Sequence, residues 1–278
     1  MMNRDDTNII IPTAKPFLRW AGGKSWLTKH LSIVKDLDYQ NYHEPFFGGG
    51  AVYFYLKPSH QSFLSDLNPK LIDTYKAIKE DVDSVIEILK TFDNTEELYY
   101  RLRDKSFDDS IHQAAQFIYL NQTSFNGIHR VNMQGKYNVP YGFRTKKFLD
   151  ENLLKIVSKR LKNTTLISRD FFDSIDQIKE RDLVFLDPPY TVSHNNNGFI
   201  KYNEKIFTLG DQIRLSTYID KIKEIGAFYI LTNAAHETII NIFEKGDYRL
   251  ELGRASTIGG KKALRGKTTE YIFTNIEL

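Results

Sequence analysis

The stretch Leu183-Val184-Phe185-Leu186-Asp187-Pro188-Pro189-Tyr190 reads as a short apolar strand stopped by an acid and two prolines. Pro189 has no N–H, and consecutive prolines cannot continue a hydrogen-bonded ladder, so the strand ends there. Around it strands alternate with helices. Upstream, a helix follows Gly23 (Trp26, Leu27, His30, Leu31, Val34) and a strand ends near Glu44. Glycines then lead into another helix, and a second short strand, Phe63–Ser65, runs into a helix opening at Pro69. Further strands are expected at Thr165–Ser168, Phe228–Leu231 and Tyr271–Thr274. That order is an α/β sheet. Residues 69 to about 125 interrupt it with helical spacing alone: Leu71, Ile72, Tyr75 and Ile78, then Ile111, Ala114, Ala115, Ile118 and Tyr119. A hairpin is expected between Ile128–Asn132 and Lys136–Val139, turning at Met133-Gln134-Gly135. The expected organisation is a catalytic α/β domain at 1–68 and 152–278, with a mainly helical insertion carrying the hairpin at 69–151.

The 278 residues include no cysteine, and 38 basic against 35 acidic side chains leave a formal charge of +3. Without a thiol there is no disulfide framework, no cysteine-ligated zinc or iron–sulfur site and no cysteine nucleophile. A content of 41% hydrophobic and 26% charged residues is that of a soluble globular protein. The apolar run Ile9–Ile11 is too brief for a signal-peptide core, and no run reaches the roughly 18 residues of a membrane span. A cytoplasmic protein without membrane contact is expected. Its charge is unevenly spread. Residues 129–162 hold Arg130, Lys136, Arg144, Lys146, Lys147, Lys155, Lys159, Arg160 and Lys162 against only Asp150 and Glu151. Residues 249–267 hold Arg249, Arg254, Lys261, Lys262, Arg265 and Lys267 against Glu251 alone. Two such tracts suit a polyanion, whereas residues 80–97 are acidic and make an unsuitable phosphate contact.

Three motifs carry chemistry. In open α/β sheets ligands bind beyond the carboxyl ends of strands, where Asp187-Pro188-Pro189-Tyr190 sits. The Pro188 carbonyl and the Asp187 carboxylate are two acceptors that can converge on one planar amino group, drawing its nitrogen toward tetrahedral geometry and exposing its lone pair. Tyr190 offers a flat face to an aromatic base. The second motif, Glu44-Pro45-Phe46-Phe47-Gly48-Gly49-Gly50-Ala51, turns a strand end through glycines into a helix. A dinucleotide fingerprint would need glycine where Tyr53 stands, which excludes a nicotinamide or flavin site. Asp66, at the end of the next strand, is placed to accept from ribose hydroxyls, so the ligand reads as an adenosine without a pyrophosphate. The third motif, Phe17-Leu18-Arg19-Trp20-Ala21-Gly22-Gly23-Lys24-Ser25, ends like a phosphate loop but has Leu18 where that loop requires glycine, which excludes an ATPase. Trp20 and Lys24 can instead close over a small charged ligand, Lys24 pairing with its carboxylate. No ligand cluster implies a metal.

Taken in order, these motifs with Ser65-Asp66-Leu67-Asn68 and Arg169-Asp170-Phe171-Phe172 resemble the Dam-type (D12 class) DNA adenine methyltransferases, from Pro16 to Asn275. The resemblance implies a Rossmann-like methyltransferase sheet, S-adenosyl-L-methionine as cofactor, and transfer of its methyl group to the exocyclic amino nitrogen of adenine in double-stranded DNA by base flipping. It implies that Trp20 and Lys24 contact the cofactor methionine, and that Glu44, Phe47, Gly48 and Gly50 shape its pocket. Asp66 would take the ribose, with Asp170 and Phe171 at the adenine ring. Asp187, Pro188, Pro189 and Tyr190 would form the catalytic tetrapeptide, Asp187 also bordering the cofactor. Phe199, Tyr202, Phe207, Asp211, Gln212 and Leu215 resemble the target-base side.

Asn126-Gly127-Ile128-His129-Arg130-Val131-Asn132 and Lys136-Tyr137-Asn138-Val139-Pro140-Tyr141-Gly142 are similar to the hairpin with which Dam-type enzymes read GATC. Arg130 matches the arginine that pairs with guanine's major-groove acceptors. The implied DNA-binding set is Asn126, Arg130, Asn132, Asn138, Pro140, Tyr141 and Arg144, with Lys146, Lys147, Lys261, Lys262, Arg265 and Lys267 on phosphates. Gln122-Thr123-Ser124-Phe125 and His129 depart from the pattern, and His129 is read as a surface polar residue or a backbone contact. Rival readings are the same cofactor with cytosine, RNA adenine or a protein glutamine as acceptor, and a DNA-binding relative without catalysis. Asp rather than Asn at 187 and the hairpin favour duplex adenine, while the intact tetrapeptide and Lys24 favour an enzyme. A monomer, with a cognate restriction endonuclease acting on the same site outside any complex, completes the expectation.

Overall fold

In the computed structural model the described residues are 13–34, 36–127, 129–132, 134–190, 207–255 and 267–277. Seven strands form one sheet: β1 (Tyr42–Glu44), β2 (Ser62–Asp66), β3 (Thr164–Ser168), β4 (Leu183–Leu186), β5 (Phe228–Ala234), β6 (Tyr248–Ala255) and β7 (Lys267–Thr274). Their spatial order is β3-β2-β1-β4-β5-β7-β6. The first five are parallel, and β7 lies antiparallel between β5 and β6. This is the open, mainly parallel Rossmann-like sheet that the resemblance implied. Each strand expected of the sheet is present. β6 was not expected, because its charges were read as a basic tract. Its half-buried Leu250 and Leu252 alternate with exposed Arg249, Glu251 and Gly253, the period of an edge strand with one wet face.

The strand β4 explains the apolar run Leu183–Leu186. Leu183 and Phe185 enter one hydrophobic cluster and Val184 and Leu186 the other, so both faces are buried by period-two alternation. From β1 the chain steps outward through β2 and β3, then returns to place β4 on the other side of β1. The carboxyl ends of β1 and β4 therefore flank a topological switch point, where an open α/β sheet binds ligands.

The helices are α1 (Ala51–Leu56), α2 (Pro69–Glu80), α3 (Val82–Lys90), α4 (Glu96–Asp104), α5 (Ser110–Thr123), α6 (Glu151–Arg160), α7 (Leu209–Ile225) and α8 (Glu237–Phe243). Asn68, Asp81, Thr95, Asp109 and Asp150 each cap a helix by accepting from a backbone N–H of its first turn. Each such cap is worth about 1 kcal/mol. Much of the acidic run at 80–97 is thereby explained, since Asp81 caps α3 and Glu96 and Glu97 complement the positive end of α4. The helix expected after Gly23 is a 3-10 helix, Leu27–Val34, kinked at Leu31. The hairpin is short: Val131 bridges Tyr137, Asn132 N donates to the Lys136 carbonyl (2.8 Å) and Asn138 N to that of Arg130 (3.1 Å). Helices α2–α5 share one core with the sheet, in which Tyr75, Val85, Tyr99 and Tyr119 join Tyr42, Leu64 and Phe185.

Candidate active site

Where β4 ends, Asp187 stands in a buried polar network. Its Oδ1 accepts from Thr232 Oγ1 of β5 (2.8 Å) and lies 2.8 Å from Lys24 Nζ. Lys24, only 4% exposed, also donates to the Gly22 carbonyl (2.9 Å) and lies 3.9 Å from Glu270 Oε2 of β7. The Tyr190 hydroxyl donates to that same Glu270 oxygen, and Lys24 Nζ sits 4.8 Å from the Tyr190 ring centroid. Burial pushes the Asp187 carboxyl up while the Lys24 ammonium pulls it down. The Tyr190 phenol is pushed well up, by burial and then by Asp187 and Glu270. Among the described residues, both partners of Asp187 sit on Oδ1.

At the end of β1, Glu44 is buried, accepts from the Tyr42 hydroxyl (2.7 Å) and is pushed up to about 8 by burial. Asp66, at the end of β2, is held by the amides of Gly48 and Asn68, each at 2.9 Å. Burial raises its pKa while those amides oppose the rise. The glycine turn packs on aromatic rings. A Cβ on Gly48 (φ +48°) would meet Trp20 Cδ1 at 2.8 Å, and one on Gly50 (φ +68°) would meet the Phe47 ring at 2.7 Å. Phe47 faces Tyr53 and Tyr75 in the core, so it supports the turn from behind. Phe171 is likewise buried, against Phe46, Phe207 and Tyr218. Asp170 caps its own turn through Phe172 N (2.9 Å) and pairs with Arg214 (2.9 Å), whose guanidinium lies over the Phe171 ring. Arg214 carried no expectation.

In the hairpin, Asn126, Arg130, Asn132, Asn138 and Pro140 are exposed. Arg130 is pre-oriented by Asn138, donating through Nε to its Oδ1 (2.8 Å) and through Nη2 to its carbonyl (3.1 Å). Asn132 shapes the turn, its Oδ1 accepting from the amides of Gln134 and Lys136. Tyr141 does not belong to the exposed set: it is buried and its hydroxyl donates to Asn94. His129, read as a surface polar residue, is half-buried. It stacks on Trp20 (5.5 Å between centroids) beside Phe117, and burial pushes it down to about 4. An aromatic side chain at 129 faces both the hairpin and the glycine turn through Trp20. That contact has no local sequence pattern.

Arg144, Lys146 and Lys147 line a groove of about 780 Å³ together with Lys15 and Arg19, which sequence reasoning missed. Arg144 Nη1 is buried there without a hydrogen-bond partner among the described residues. Arg19 is lowered by burial and by the neighbouring Arg144, so two guanidinium groups crowd one concavity. Lys261, Lys262, Arg265, Phe199 and Tyr202 lie outside the described residues, as does the side chain of Lys267. Among the described residues there is no metal-binding group of His, Asp and Glu, and no helix is long and apolar enough to cross a membrane.

The sequence model of the D12 class N6 adenine-specific DNA methyltransferases matches residues 20–258. The chain belongs to that family. A type II methyltransferase of Lactococcus lactis subsp. cremoris is 32% identical over 273 residues, covering 94% of this chain and 95% of its own. A type II methyltransferase of Methanocaldococcus jannaschii is 38% identical over 243 residues, covering 79% and 84%. A DNA adenine methylase of Vibrio cholerae is 31% identical over 236 residues, covering 81% and 82%. This D12 methyltransferase is thus a site-specific, adenine-specific DNA enzyme, and a methyl donor is implied by its family.

Proposed function

We propose that this enzyme methylates the amino nitrogen of an adenine flipped out of duplex DNA, within GATC, with S-adenosylmethionine as donor. The carrying observation is the tetrapeptide at the β4 end of the switch point, where Lys24 and Thr232 hold Asp187 through Oδ1. An adenine stacked in a duplex keeps its ring faces covered by neighbouring bases, so stacking it on Tyr190 requires extrusion, at a cost of roughly a few kcal/mol. Asp187 and the Pro188 carbonyl would accept from the two amino hydrogens, leaving the nitrogen lone pair exposed. Tyr190 would stack the base on the ring face opposite Lys24. Positioning is then the main work, and no strong base is required.

The residues present fit a cationic adenosine-type donor. One ammonium, Lys24, faces two carboxylates, Asp187 and Glu270, with Asp66 at the neighbouring strand end. Among the described residues this cluster is net negative, suited to a ligand of net positive charge. When bound, that group supplies a methyl carbon activated by its sulfonium charge. Asp66 would hold its ribose and Trp20 its methionine end, while Asp170 and Phe171 would border the adenine. On the DNA side, Arg130 would read guanine and the groove at Lys15, Arg19, Arg144, Lys146 and Lys147 would take phosphates. We assign target recognition to residues 69–151 and catalysis to 1–68 and 152–278. A cytoplasmic monomer, paired in the cell with a restriction endonuclease of the same specificity outside any complex, accords with this reading.

Long-read sequencing of plasmid DNA from a methylation-deficient host expressing the chain tests it. Methyladenine confined to GATC is the expected result. Methyladenine in another sequence would remove the GATC assignment. An unmodified plasmid from cells containing folded protein would refute the reaction itself.

A further inference from the structure

Glu270 lies in none of the motifs, yet its side chain is fully buried on β7 beside the catalytic tetrapeptide. Its Oε2 accepts the Tyr190 hydroxyl and lies 3.9 Å from Lys24 Nζ, which is itself 2.8 Å from Asp187. One ammonium is thus shared by two carboxylates, and one of those carboxylates also holds the tyrosine. For stability alone an apolar residue on this strand would serve as well, since removing two charges from water offsets most of what their attraction returns. The geometry instead gives Glu270 two handles on the reacting site.

We propose that Glu270 is a positioning residue for methyl transfer: it fixes the Tyr190 ring through its hydroxyl and divides the Lys24 charge with Asp187, keeping Asp187 available to the incoming amino group. The inference rests on the base-flipping reading above. Among the described residues, the charged and titratable groups facing Asp187 are Lys24 from the N-terminal segment, Glu270 from β7, Tyr190 after β4 and Glu44 at the end of β1. Without the negative charge at 270, Lys24 pairs with Asp187 alone. The Asp187 carboxylate then stays ionised to lower pH but is more tightly engaged as an acceptor.

Two substitutions separate the handles. Glu270→Gln keeps an oxygen for the Tyr190 hydroxyl and loses the charge, while Glu270→Ala loses both. Both should lower kcat about tenfold or more with KM for DNA within about threefold, the pattern of an interaction made in the transition state. Both should move the acid limb of kcat to lower pH, because the like charge that raises Asp187 is gone. A duplex with 2-aminopurine at the target position, without cofactor, gives a second readout. Its emission, quenched in the duplex stack, should rise when wild-type protein or Glu270→Gln extrudes the base onto the Tyr190 ring, and rise further in Glu270→Ala, where that ring is no longer held. Wild-type kcat and acid limb in Glu270→Gln would overturn the proposal, and so would a lower kcat with an unmoved limb. Should Glu270→Ala fail a melting test, the isosteric variant decides alone. A duplex whose emission does not respond to wild-type protein would refute base flipping and this inference with it, whereas a normal wild-type response with indifferent variants refutes the inference only.

Discussion

Gly48→Ala should destabilise the chain through a contact that no motif would reveal. Gly48 has φ +48°, and for a residue with a Cβ the left-handed region costs about 1–2 kcal/mol. The new methyl would stand 2.8 Å from Trp20 Cδ1 and 3.0 Å from Nε1. Trp20 cannot swing aside cheaply, because it stacks on His129 at 5.5 Å and on Phe117 at 6.5 Å. Losing such stacking costs about 0.5–1.5 kcal/mol. The sum, about 1.5–3.5 kcal/mol, corresponds to a fall in Tm of roughly 3–14 °C for a chain of this size. Gly22→Ala is the control: its φ is +78° but a Cβ there meets nothing within 4 Å, so only the backbone term applies. Melting curves of both variants, followed by tryptophan fluorescence, make the comparison. Equal shifts for the two would refute the role assigned to the Trp20 contact.

Arg130→Ala should relax discrimination at one base pair by about 1–3 kcal/mol, read as relative kcat/KM on duplexes substituted within the site. An unchanged preference would remove Arg130 as reader. Lys146→Ala and Lys147→Ala, both exposed, should weaken binding to all duplexes alike and flatten the slope of log K against log salt by about one unit each. Fluorescence anisotropy at several salt concentrations tests this. The buried His43–Asp182 pair (2.8 Å) sets an acid limit to stability. Burial holds His43 below its ordinary 6.5 in the fold, so the unfolded chain takes up this proton first and stability falls as pH drops below about 6.5. Asp182 is lowered despite burial, by His43 and the Asn41 and Lys179 amides, so its contribution is lost further down, as pH falls through its folded pKa. Urea midpoints between pH 7 and 5 should decline in the wild type and decline less in His43→Gln. Identical pH profiles would refute it.

The legible parts of this molecule were those whose cause is local. The strand at Leu183–Leu186 was readable because burial on both faces demands an unbroken apolar run, and the helix at Pro69 because its cap and first residue are sequence neighbours. Tyr141 was misassigned because a tyrosine beside Pro140 in a polar hairpin looks like a contact residue. Only the fold shows Asn94, forty-seven residues away, taking its hydroxyl. Glu270 was invisible for the same reason. Its partners Lys24, Asp187 and Tyr190 come from two other segments, and nothing in Lys267-Thr268-Thr269-Glu270 distinguishes it from an ordinary strand charge. His129 looked like a departure to be discounted, whereas its ring fills the space between Trp20 and Tyr137.

The division into a catalytic part and a recognition part is one of proposed role and not of packing. Tyr75 of α2 stacks edge-on against Phe17 and contacts Phe47, while the Asn121 side chain of α5 both accepts from Arg19 N and donates to the Arg19 carbonyl, each at 2.8 Å. These contacts tie the insertion to the segment that carries Trp20 and Lys24. Domains joined by a large apolar interface do not move as independent bodies. The distance between Arg130 and Asp187 is then set by the core, and the target base is selected by where a rigid ruler ends. If that is so, residues 69–151 cannot melt alone. Unfolding followed by far-UV circular dichroism, which reports mostly the helices, and by fluorescence of Trp20 and Trp26 should give coincident transitions. A separate, earlier helical transition with the tryptophan signal unchanged would show that the insertion folds on its own. Recognition would then have to be fitted to the site by motion and not by construction.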